Sequence, residues 1–570
     1  MREKLQGPAQ RALQLAPWWG CWRVPSALPC SLSVVGRPFV SVASSSSPPS
    51  SPGSGGGSPN GGSNFGGLDF NDTSNAFKSK RFSELVRGFF VFQTCRIRPL
   101  VSFAEPLVRL SYRVLGTSIT DSLLKKTYFG HFCAGEDTET LRPVVKKLES
   151  FGVGSIFDYA AEADIEEAEE SVLPETDEES RIKVRVFDYE GEKECDARRE
   201  VFAKCIRAAH AVSETSFAAI KCTALGNPPL LDRMSVAVEE LRTLFNKFDE
   251  DGNGWVTKEE FQKVWDDFFV DAQDVDEMFA AMDYNHDNTI DYVGWSNALR
   301  LEDLHRLTQG CRVRGPLAKA ALNEKETALL VKLRERVSSL AKLAADNGVC
   351  MMVDAEHTYF QPAIDNLTVT MMREHNKDKA VIFNTYQMYL KGSQERLMQD
   401  MDRAREGDYH FACKLVRGAY MHLERQRASQ MGYPDPILPD LEATHAAYNG
   451  GVTAVLERMA KGEKVELMVA THNQRSVEHT IEEATRLGLG NDAPIYFGQL
   501  LGMADHLTFT LGQAGWKAYK YVPFGAVKEV MPYLMRRALE NGDMLGGARH
   551  EIRMLRREMS RRAFSFGSGR

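Results

Sequence analysis

The chain has 570 residues, 43% of them hydrophobic, and a formal net charge of −8. This length gives room for two or three domains, and the mild acidity, without a basic stripe carrying interleaved aromatics, argues against a nucleic-acid partner. The ten cysteines form no CxxC pair and no cluster at zinc spacing, which is typical of a reducing compartment and not of a disulfide framework.

The first 68 residues carry the pattern of a targeting leader. No acidic residue occurs between Lys4 and Gly67, arginines are present, and serines are dense from Ser41 to Ser54. A basic, serine-rich and acid-poor leader is typical of a mitochondrial transit peptide. The alternative is a disordered, low-complexity tail, which the Gly/Ser/Pro-rich end of this segment also fits.

Residues 69–150 are predicted to form an N-terminal helical region. The stretch from Phe82 to Leu115 is apolar but interrupted by charged residues, which indicates amphipathic helices. Such helices pack against the main domain or lie on a membrane surface, and the sequence leaves both alternatives open. No run of about 18 uninterrupted apolar residues occurs, so no segment is expected to span a bilayer as a helix.

From residue 151 onward, short β-rich runs alternate with amphipathic stretches. The runs are nearly continuous in apolar residues, as in parallel strands buried on both faces; they are 155–159, 217–221, 349–354, 380–384, 411–416, 467–471, 495–498 and 518–522. Eight strand–helix units predict an α/β fold, a TIM-like (β/α)8 barrel begun by residues 151–225 and completed by residues 320–560. No glycine-rich fingerprint follows the first strand, which argues against a dinucleotide-binding doubly wound sheet.

Polar residues follow six of these runs. The chemistry of such a barrel takes place at the carboxyl ends of its strands. The residues predicted at those ends are Lys221, Asp354, Asn384, Arg417, the triplet 471–473 and Tyr521. Their repetition predicts a site at one mouth of the barrel.

Two insertions interrupt the barrel pattern. An acidic stretch from Glu162 to Glu179 is predicted to be a solvated linker. Residues 232–308 are predicted to form a helical EF-hand pair, because the first loop has oxygen ligands or a turn glycine at each required position. Its candidate calcium ligands are Asp249, Asp251, Asn253, the Trp255 carbonyl and Glu260. The second loop, Asp283 to Gly294, lacks the final carboxylate and is expected to serve as a structural pairing partner.

A late amphipathic helix carries two adjacent arginines. Tyr533, Arg536, Arg537 and Glu540 stand at i, i+3, i+4 and i+7, so they share one helix face. Two guanidinium forks suit bidentate capture of a small carboxylate. A solvated Arg–Arg pair is the plainer interpretation of the same spacing.

Six ordered motifs together resemble the proline dehydrogenase family, and the similarity is to the mitochondrial, animal-like type. The motifs are 220–225 (IKCTAL), 353–356 (VDAE), 384–387 (NTYQ), 414–420 (KLVRGAY), 470–473 (ATHN) and 521–541. This resemblance implies an FAD-dependent enzyme that oxidises L-proline to 1-pyrroline-5-carboxylate. It also implies a membrane quinone as electron acceptor and peripheral association with the mitochondrial inner membrane, in the matrix.

The resemblance assigns roles residue by residue. Arg536 and Arg537 would bind the proline carboxylate, with Tyr533 beside them. Lys221, Asp354 and Tyr521 would complete the pocket as catalytic residues. Contacts to FAD would come from Asn384, Lys414, Arg417, Ala419, His472, Leu500 and Glu540. At three of these positions bacterial members differ, with Gln at 384, Arg at 414 and Lys at 417, and Arg and Lys are not equivalent donors.

Two other functions remain open at this point. Hydroxyproline-preferring relatives typically carry a smaller serine at position 521, so the bulky Tyr521 favours proline over 4-hydroxyproline. A calcium-binding adaptor with an inactive barrel is the alternative from a different class, which the intact set of pocket residues argues against. Tyr521 could also serve packing alone, as buried aromatic residues commonly do.

Overall fold

Eight parallel strands close into a barrel in this computed structural model, which describes residues 68–160, 189–213, 216–269, 275–312, 315–543 and 547–567. The predicted leader (apart from residue 68) and the acidic linker lie outside these ranges. The barrel strands are β1 (Val153–Tyr159), β2 (Phe217–Ile220), β5 (Cys350–Val353), β6 (Ile382–Gln387), β7 (Phe411–Val416), β8 (Val465–Ala470), β9 (Ile495–Leu500) and β10 (Lys517–Phe524). Strands β3 (Trp255–Thr257) and β4 (Thr289–Asp291) form a separate sheet.

The strand order confirms the predicted barrel. Around the barrel it runs β1-β10-β9-β8-β7-β6-β5-β2, and β2 pairs with β1 to close the sheet. Residue Ile156 is paired with Tyr521 on one side and with Phe217 on the other. Each of the eight predicted β-rich runs overlaps one observed strand, because each run is apolar on both faces and flanked by polar turns.

The barrel strands carry two sets of side chains, one inside the barrel and one outside it. Along each strand, alternate residues face inward, and the inward set packs Phe217 edge-to-face against Phe383, Tyr496 and Tyr519. The outward set packs against the surrounding helices in the large core. The barrel is therefore closed by its own aromatic side chains below the mouth.

Helices cover the outside of the barrel and both ends of the chain. In chain order they are α1 (Thr73–Ala76), α2 (Phe82–Cys95), α3 (Arg98–Ser102), α4 (Ala104–Lys126), α5 (Tyr128–Phe132), α6 (Thr138–Glu149), α7 (Glu192–Val212), α8 (Pro228–Phe248), α9 (Lys258–Phe268), α10 (Val275–Met282), α11 (Tyr292–Ala298), α12 (Leu304–Gln309), α13 (Pro316–Ala320), α14 (Glu324–Asn347), α15 (Gln361–His375), α16 (Ser393–Glu406), α17 (Met421–Met431), α18 (Leu441–Ala460), α19 (Gln474–Arg486), α20 (Asp505–Gln513), α21 (Met531–Asp543) and α22 (Gly547–Gly567).

Helix α14 shows why the sequence predicts these elements well. The Asn323 side chain accepts hydrogen bonds from the amides of Lys325 and Glu326, and the Glu326 carboxylate accepts one from the Asn323 amide. Gly348 ends the helix in the left-handed conformation, which glycine adopts without a steric penalty. The helix directly precedes the predicted run 349–354, in agreement with the predicted alternation of amphipathic stretches and β-rich runs.

The inserted segment forms two paired helix–loop–helix units. Helices α8 and α9 flank the first loop, α10 and α11 flank the second, and β3 pairs antiparallel with β4 through Val256 and Ile290. Helix α8 begins at Pro228, four residues before the predicted start of the insertion at residue 232, and joins the insertion directly to β2. The boundaries predicted for the insertion at 232–308 stay predictions.

No helix among the described residues combines the length and apolar character needed to cross a bilayer.

Candidate functional site

Five inward-facing polar residues from five strands meet at the carboxyl mouth of the barrel. They lie within or directly after β1, β2, β5, β7 and β10 and are Asp158, Lys221, Asp354, Lys414 and Tyr521. Each continues the alternation that points its strand's interior residues inward, as Ile156 does for Asp158 and Met352 does for Asp354. Barrel closure therefore brings into one layer side chains that lie far apart in sequence.

Asp354 is the centre of this layer. Its Oδ1 pairs with Lys414 Nζ, and its Oδ2 accepts a hydrogen bond of 3.0 Å from the Tyr521 hydroxyl. Lys221 Nζ lies 3.7 Å from Asp354 Oδ2 and 3.2 Å from Asp158 Oδ1. The layer thus alternates two carboxylates with two ammonium groups and one phenol.

These contacts determine the ionisation states of the layer. Burial opposes ionisation of Asp354, yet the ammonium groups of Lys414 and Lys221 hold the pKa of that carboxyl below its usual range. Burial, together with the carboxylates of Asp158 and Asp354, raises the pKa of Tyr521 well above its usual value. Tyr521 is therefore a neutral hydrogen-bond donor beside an ionised carboxylate.

Helix α21 lies beside the mouth and carries the predicted clamp. Tyr533 is buried and packs in one apolar cluster with Leu500 at the end of β9. The Arg537 guanidinium lies 5.0 Å from the centre of the Tyr533 ring, and its Nη2 donates to Glu540 Oε1. Arg536 is half-buried on the same helix. The structure thus brings the four predicted residues onto one element next to the layer.

His472 and Leu500 meet at the neighbouring strand ends. The Leu500 amide donates to His472 Nε2 over 3.0 Å, so this ring nitrogen is an acceptor. Burial, followed by the charges of Lys520 and Arg537, lowers the pKa of His472 to about 3. The imidazole is therefore neutral, and its orientation is fixed by the backbone of β9.

Asn384 is placed differently from the prediction that it ends a strand at the mouth. It is the third residue of β6 and faces outward, where its Nδ2 donates to Asp365 Oδ1 of α15 over 2.9 Å. Its Oδ1 accepts from the Thr385 amide. The strand continues to Gln387, three residues past the predicted end, and this shift changes which residue reaches the mouth.

Arg417 and Ala419 also lie outside the layer. Arg417 donates to Thr471 Oγ1 at 2.8 Å, to Ser476 Oγ at 2.9 Å and to His445 Nδ1 at 3.1 Å, and it stacks on Tyr448. These bonds tie the β7 loop to helices α18 and α19. Ala419 is exposed in that loop.

The sequence interpretation missed three polar residues of the mouth. Asp158 is the penultimate residue of β1 and lies beside Lys221, Gln387 ends β6 on its inward face, and Glu356 accepts from the Thr223 amide at 3.1 Å and from the Thr223 hydroxyl. Burial raises the pKa of Glu356 to about 7. Period-two alternation from Phe383 would have indicated Gln387, since residues i, i+2 and i+4 share one face.

The mouth offers polar atoms that suit a large, polar cofactor. The buried side-chain atoms that have no hydrogen-bond partner among the described residues include three at the mouth: Gln387 Oε1, the Tyr533 hydroxyl and Arg537 Nε. Buried polar atoms are normally bonded, so such atoms at one mouth indicate groups that await a ligand. Together with the cation of Lys414, this donor and acceptor set fits FAD.

Side chains of the first loop of the insertion accept hydrogen bonds from backbone amides of the same loop. Asp249 accepts from the amides of Asn253 and Gly254 at 3.0 Å, and Glu260 Oε2 accepts from the Thr257 amide at 2.8 Å. Glu260 thereby caps α9. No group of three or more His, Cys, Asp or Glu side chains among the described residues is arranged to hold a metal, so the predicted calcium site lacks support.

Comparison with known proteins places the chain in a family. The family model described as "Proline dehydrogenase" matches residues 141–550. The chain belongs to the proline dehydrogenase family. It is 37% identical over 537 residues to proline dehydrogenase 1, mitochondrial, of Homo sapiens, covering 87% of this chain and 90% of the human protein. The corresponding protein of Caenorhabditis elegans is 38% identical over 550 residues, covering 87% of this chain and 89% of that protein.

Two further relatives bear on specificity and fold. Hydroxyproline dehydrogenase of Xenopus laevis is 32% identical over 504 residues, covering 88% of this chain and 91% of that protein. A crystal structure of proline utilization A from Bdellovibrio bacteriovorus, inactivated by N-propargylglycine, matches with a TM-score of 0.50 and 16% identity. That match covers 85% of this chain and 39% of the longer bacterial protein, and it supports the fold alone.

Proposed function

We propose that the chain is a mitochondrial, FAD-dependent proline dehydrogenase that converts L-proline to 1-pyrroline-5-carboxylate, the first step of proline catabolism. The proposal rests on one observation. In this member of the family, a layer of charged side chains around Asp354 lies beside helix α21. The reaction removes a hydride from the carbon next to the ring nitrogen and a proton from the amine. FAD, when bound, supplies the two-electron acceptor for that hydride.

The residues of this chain would bind and orient the imino acid. Two guanidiniums on α21, Arg536 and Arg537, match the proline carboxylate. Positioning of the reacting carbon is the main contribution that a protein makes to hydride transfer. The ionised Asp354 would face the substrate ammonium, and the neutral Tyr521 hydroxyl holds that carboxylate in place.

Other residues would hold the cofactor. Lys414 contributes a positive charge at the mouth, and His472, Leu500 and Glu540 lie on elements that line it. Gln387 is added to this set because its buried carbonyl oxygen has no partner among the described residues. Asn384 is reassigned as a residue that orients β6 against α15.

The substrate proposal favours L-proline over 4-hydroxyproline. The human and nematode proline dehydrogenases are 37% and 38% identical to this chain, whereas the Xenopus hydroxyproline dehydrogenase is 32% identical. The bulky tyrosine at position 521 also favours L-proline. Electron transfer onward to a membrane quinone completes the proposal and rests on the family resemblance.

Anaerobic addition of proline to the purified chain tests the function. We expect a yellow protein whose flavin absorbance bleaches with L-proline and recovers on adding a soluble quinone analogue. Parallel titration with 4-hydroxyproline compares the two substrates. A colourless protein would favour the adaptor alternative, and faster bleaching by 4-hydroxyproline would overturn the substrate assignment.

Calcium at residues 249–260 is a separate proposal that rests on ligand spacing alone. Binding would require Glu260 to leave its bond to Thr257 and turn toward Asp249 and Asp251. Calorimetry with calcium compares the native chain with Glu260→Gln, which removes the bidentate ligand. Equal heats from the two proteins would end this proposal.

A further inference from the structure

Helix α4 is a helical hairpin. Its path breaks at Gly116, where φ is 76° and ψ is 170°, a conformation that glycine adopts at little cost. The Tyr112 hydroxyl donates to Asp121 Oδ1 over 2.7 Å. Nine residues of a straight helix would separate these two residues by about 13.5 Å, so the segment folds back on itself. We call residues 104–126 the α4 hairpin.

The outer face of this hairpin is apolar and open to solvent. Val114 is 71% exposed and Ile119 is 59% exposed, on either side of the Gly116 turn. Large exposed apolar residues continue along both arms and just before them: Phe103, Leu107, Leu110, Leu115 and Leu123. Apolar side chains exposed singly are ordinary, but a continuous group marks an interaction surface.

The inner face holds the hairpin to the body of the protein. Thr120 and Leu124 are buried, and Tyr112 and Leu124 share an apolar cluster with Val527 and Tyr533. Tyr533 belongs to α21, the helix that carries the proposed substrate clamp. The exposed apolar face is therefore fixed close to the mouth of the barrel.

The charges of the hairpin identify the partner as anionic. Residues 104–126 contain four basic residues and two acidic residues. Glu105 is paired with Arg109, Lys125 is paired with Glu136, and Asp121 accepts from Tyr112. Arg113 and Lys126 are exposed next to the apolar face. A helix surface with apolar residues flanked by Lys and Arg is suited to the boundary between lipid headgroups and acyl chains.

We propose that the α4 hairpin docks the protein on an anionic phospholipid bilayer, inserting Val114, Leu115 and Ile119 without spanning it. The inference rests on the proposed function only in explaining why the mouth should lie near a membrane, where an apolar electron acceptor is dissolved. The hairpin turn would enter the acyl region while Arg113 and Lys126 contact phosphate groups. Because Tyr533 of α21 belongs to the same apolar cluster as Tyr112 and Leu124 of the hairpin, docking would hold the mouth close to the lipid surface.

Vesicle co-sedimentation of the full chain tests the docking surface. The probes are vesicles of phosphatidylcholine alone and of phosphatidylcholine with a minor share of cardiolipin. We expect binding to the cardiolipin vesicles that weakens with salt, and a drop of about tenfold or more in Val114→Glu/Ile119→Glu, since each insertion buries an apolar side chain. The matched control is Leu441→Glu, which changes a residue 63% exposed on α18 and should bind as the native chain does.

The outcomes separate docking from catalysis. Proline-dependent bleaching with a soluble dye should be equal in the native chain and the double variant, since neither changed residue belongs to the site. If proline does not bleach the flavin of the native chain, the proposed function is refuted whether or not vesicles bind. Equal sedimentation of the native chain and the double variant would overturn the hairpin as the docking surface. The native chain could instead bind neither vesicle and form a dimer in light scattering that the double variant abolishes. That result would assign the apolar face to contact with a second copy of the chain.

Discussion

At the scale of single residues, Asp354 organises the site because it lies between two cations and a phenol. The carboxylate is buried in a layer where an isolated charge would be costly, and Lys414, Lys221 and Tyr521 compensate it. A substrate ammonium entering this layer would meet an ionised partner that is already oriented. The arrangement explains how one strand-end aspartate becomes the centre of a binding site.

Arg537→Lys tests the substrate clamp at this scale. Lysine keeps the charge but loses the planar fork that binds a carboxylate through two bonds, so we expect the KM for proline to rise about 10- to 100-fold, corresponding to roughly 1.5–3 kcal/mol. Steady-state kinetics normalised to bound flavin measures this change. The exposed Arg475→Lys is the control. An unchanged KM in Arg537→Lys would remove the clamp from the mechanism.

Lys414→Met tests the electrostatics of Asp354. The folded-state pKa of Asp354 lies below its usual value, so the ionised form and its contribution to stability persist until the pH falls through that low pKa. Removing one of the two cations raises the folded pKa. We expect the acid limb of kcat/KM, per bound flavin, to move upward by about one pH unit or more.

The exposed pair Lys464–Asp408 supplies the control for this prediction. Asp408 is 85% exposed in its side chain, and Lys464→Met should leave the acid limb in place because solvent screens the pair. Superimposable profiles for the native chain and Lys414→Met would contradict the assigned charge balance.

At the scale of elements, strand β6 shows how one pleat decides function. Asn384 faces α15 and Gln387 faces the mouth, since the two positions differ by an odd number of residues and must lie on opposite faces. The motif that contains both residues was recognised in the sequence, but the predicted strand stopped at residue 384. The FAD contact was therefore assigned to Asn384, whose side-chain amide faces outward.

Comparison of Gln387→Leu with Asn384→Leu tests this reassignment. We expect Gln387→Leu to lower the flavin-to-protein ratio of the folded chain, and loss of the bond from Gln387 Nε2 to the Glu356 carbonyl should lower its melting temperature as well. Asn384→Leu leaves Asp365 and the Thr385 amide without their amide partner and should lower the melting temperature while the folded fraction keeps its flavin. Flavin absorbance and calorimetry report the two effects, and the opposite pattern would restore the original assignment.

At the scale of the whole molecule, a buried ion cluster joins the barrel to the terminal helices. Asp505 at the start of α20 pairs with Lys520 of β10 at 2.9 Å and with Lys80, which precedes α2, at 2.9 Å. The Lys520 side chain is fully buried and also donates to the carbonyls of Leu500 and Met503. Glu551 of α22 lies in the same environment, where burial raises its pKa to about 8.

Asp505→Asn tests the importance of this cluster for assembly. Removal of the carboxylate leaves the buried Lys520 without its counter-charge, which typically destabilises a protein by about 3–5 kcal/mol. Urea unfolding of the purified chain measures the change. Asp408→Asn, in the exposed pair, should stay within about 0.5 kcal/mol of the native chain. Equal midpoints for both variants would show that other contacts hold the terminal helices.

The sequence by itself determined the barrel, most of its strand ends and the family, because apolar runs and ordered motifs are local properties that short windows reveal. It also placed the two arginines on one helix face, since helical spacing is regular. Only the tertiary structure decided that Asp158 meets Lys221, that Gln387 and not Asn384 faces the mouth, and that the α4 hairpin folds back with its apolar face outward. These features depend on barrel closure, on the pleat of each strand and on a single glycine turn, and each joins residues whose relative positions are set by the packing of the complete chain.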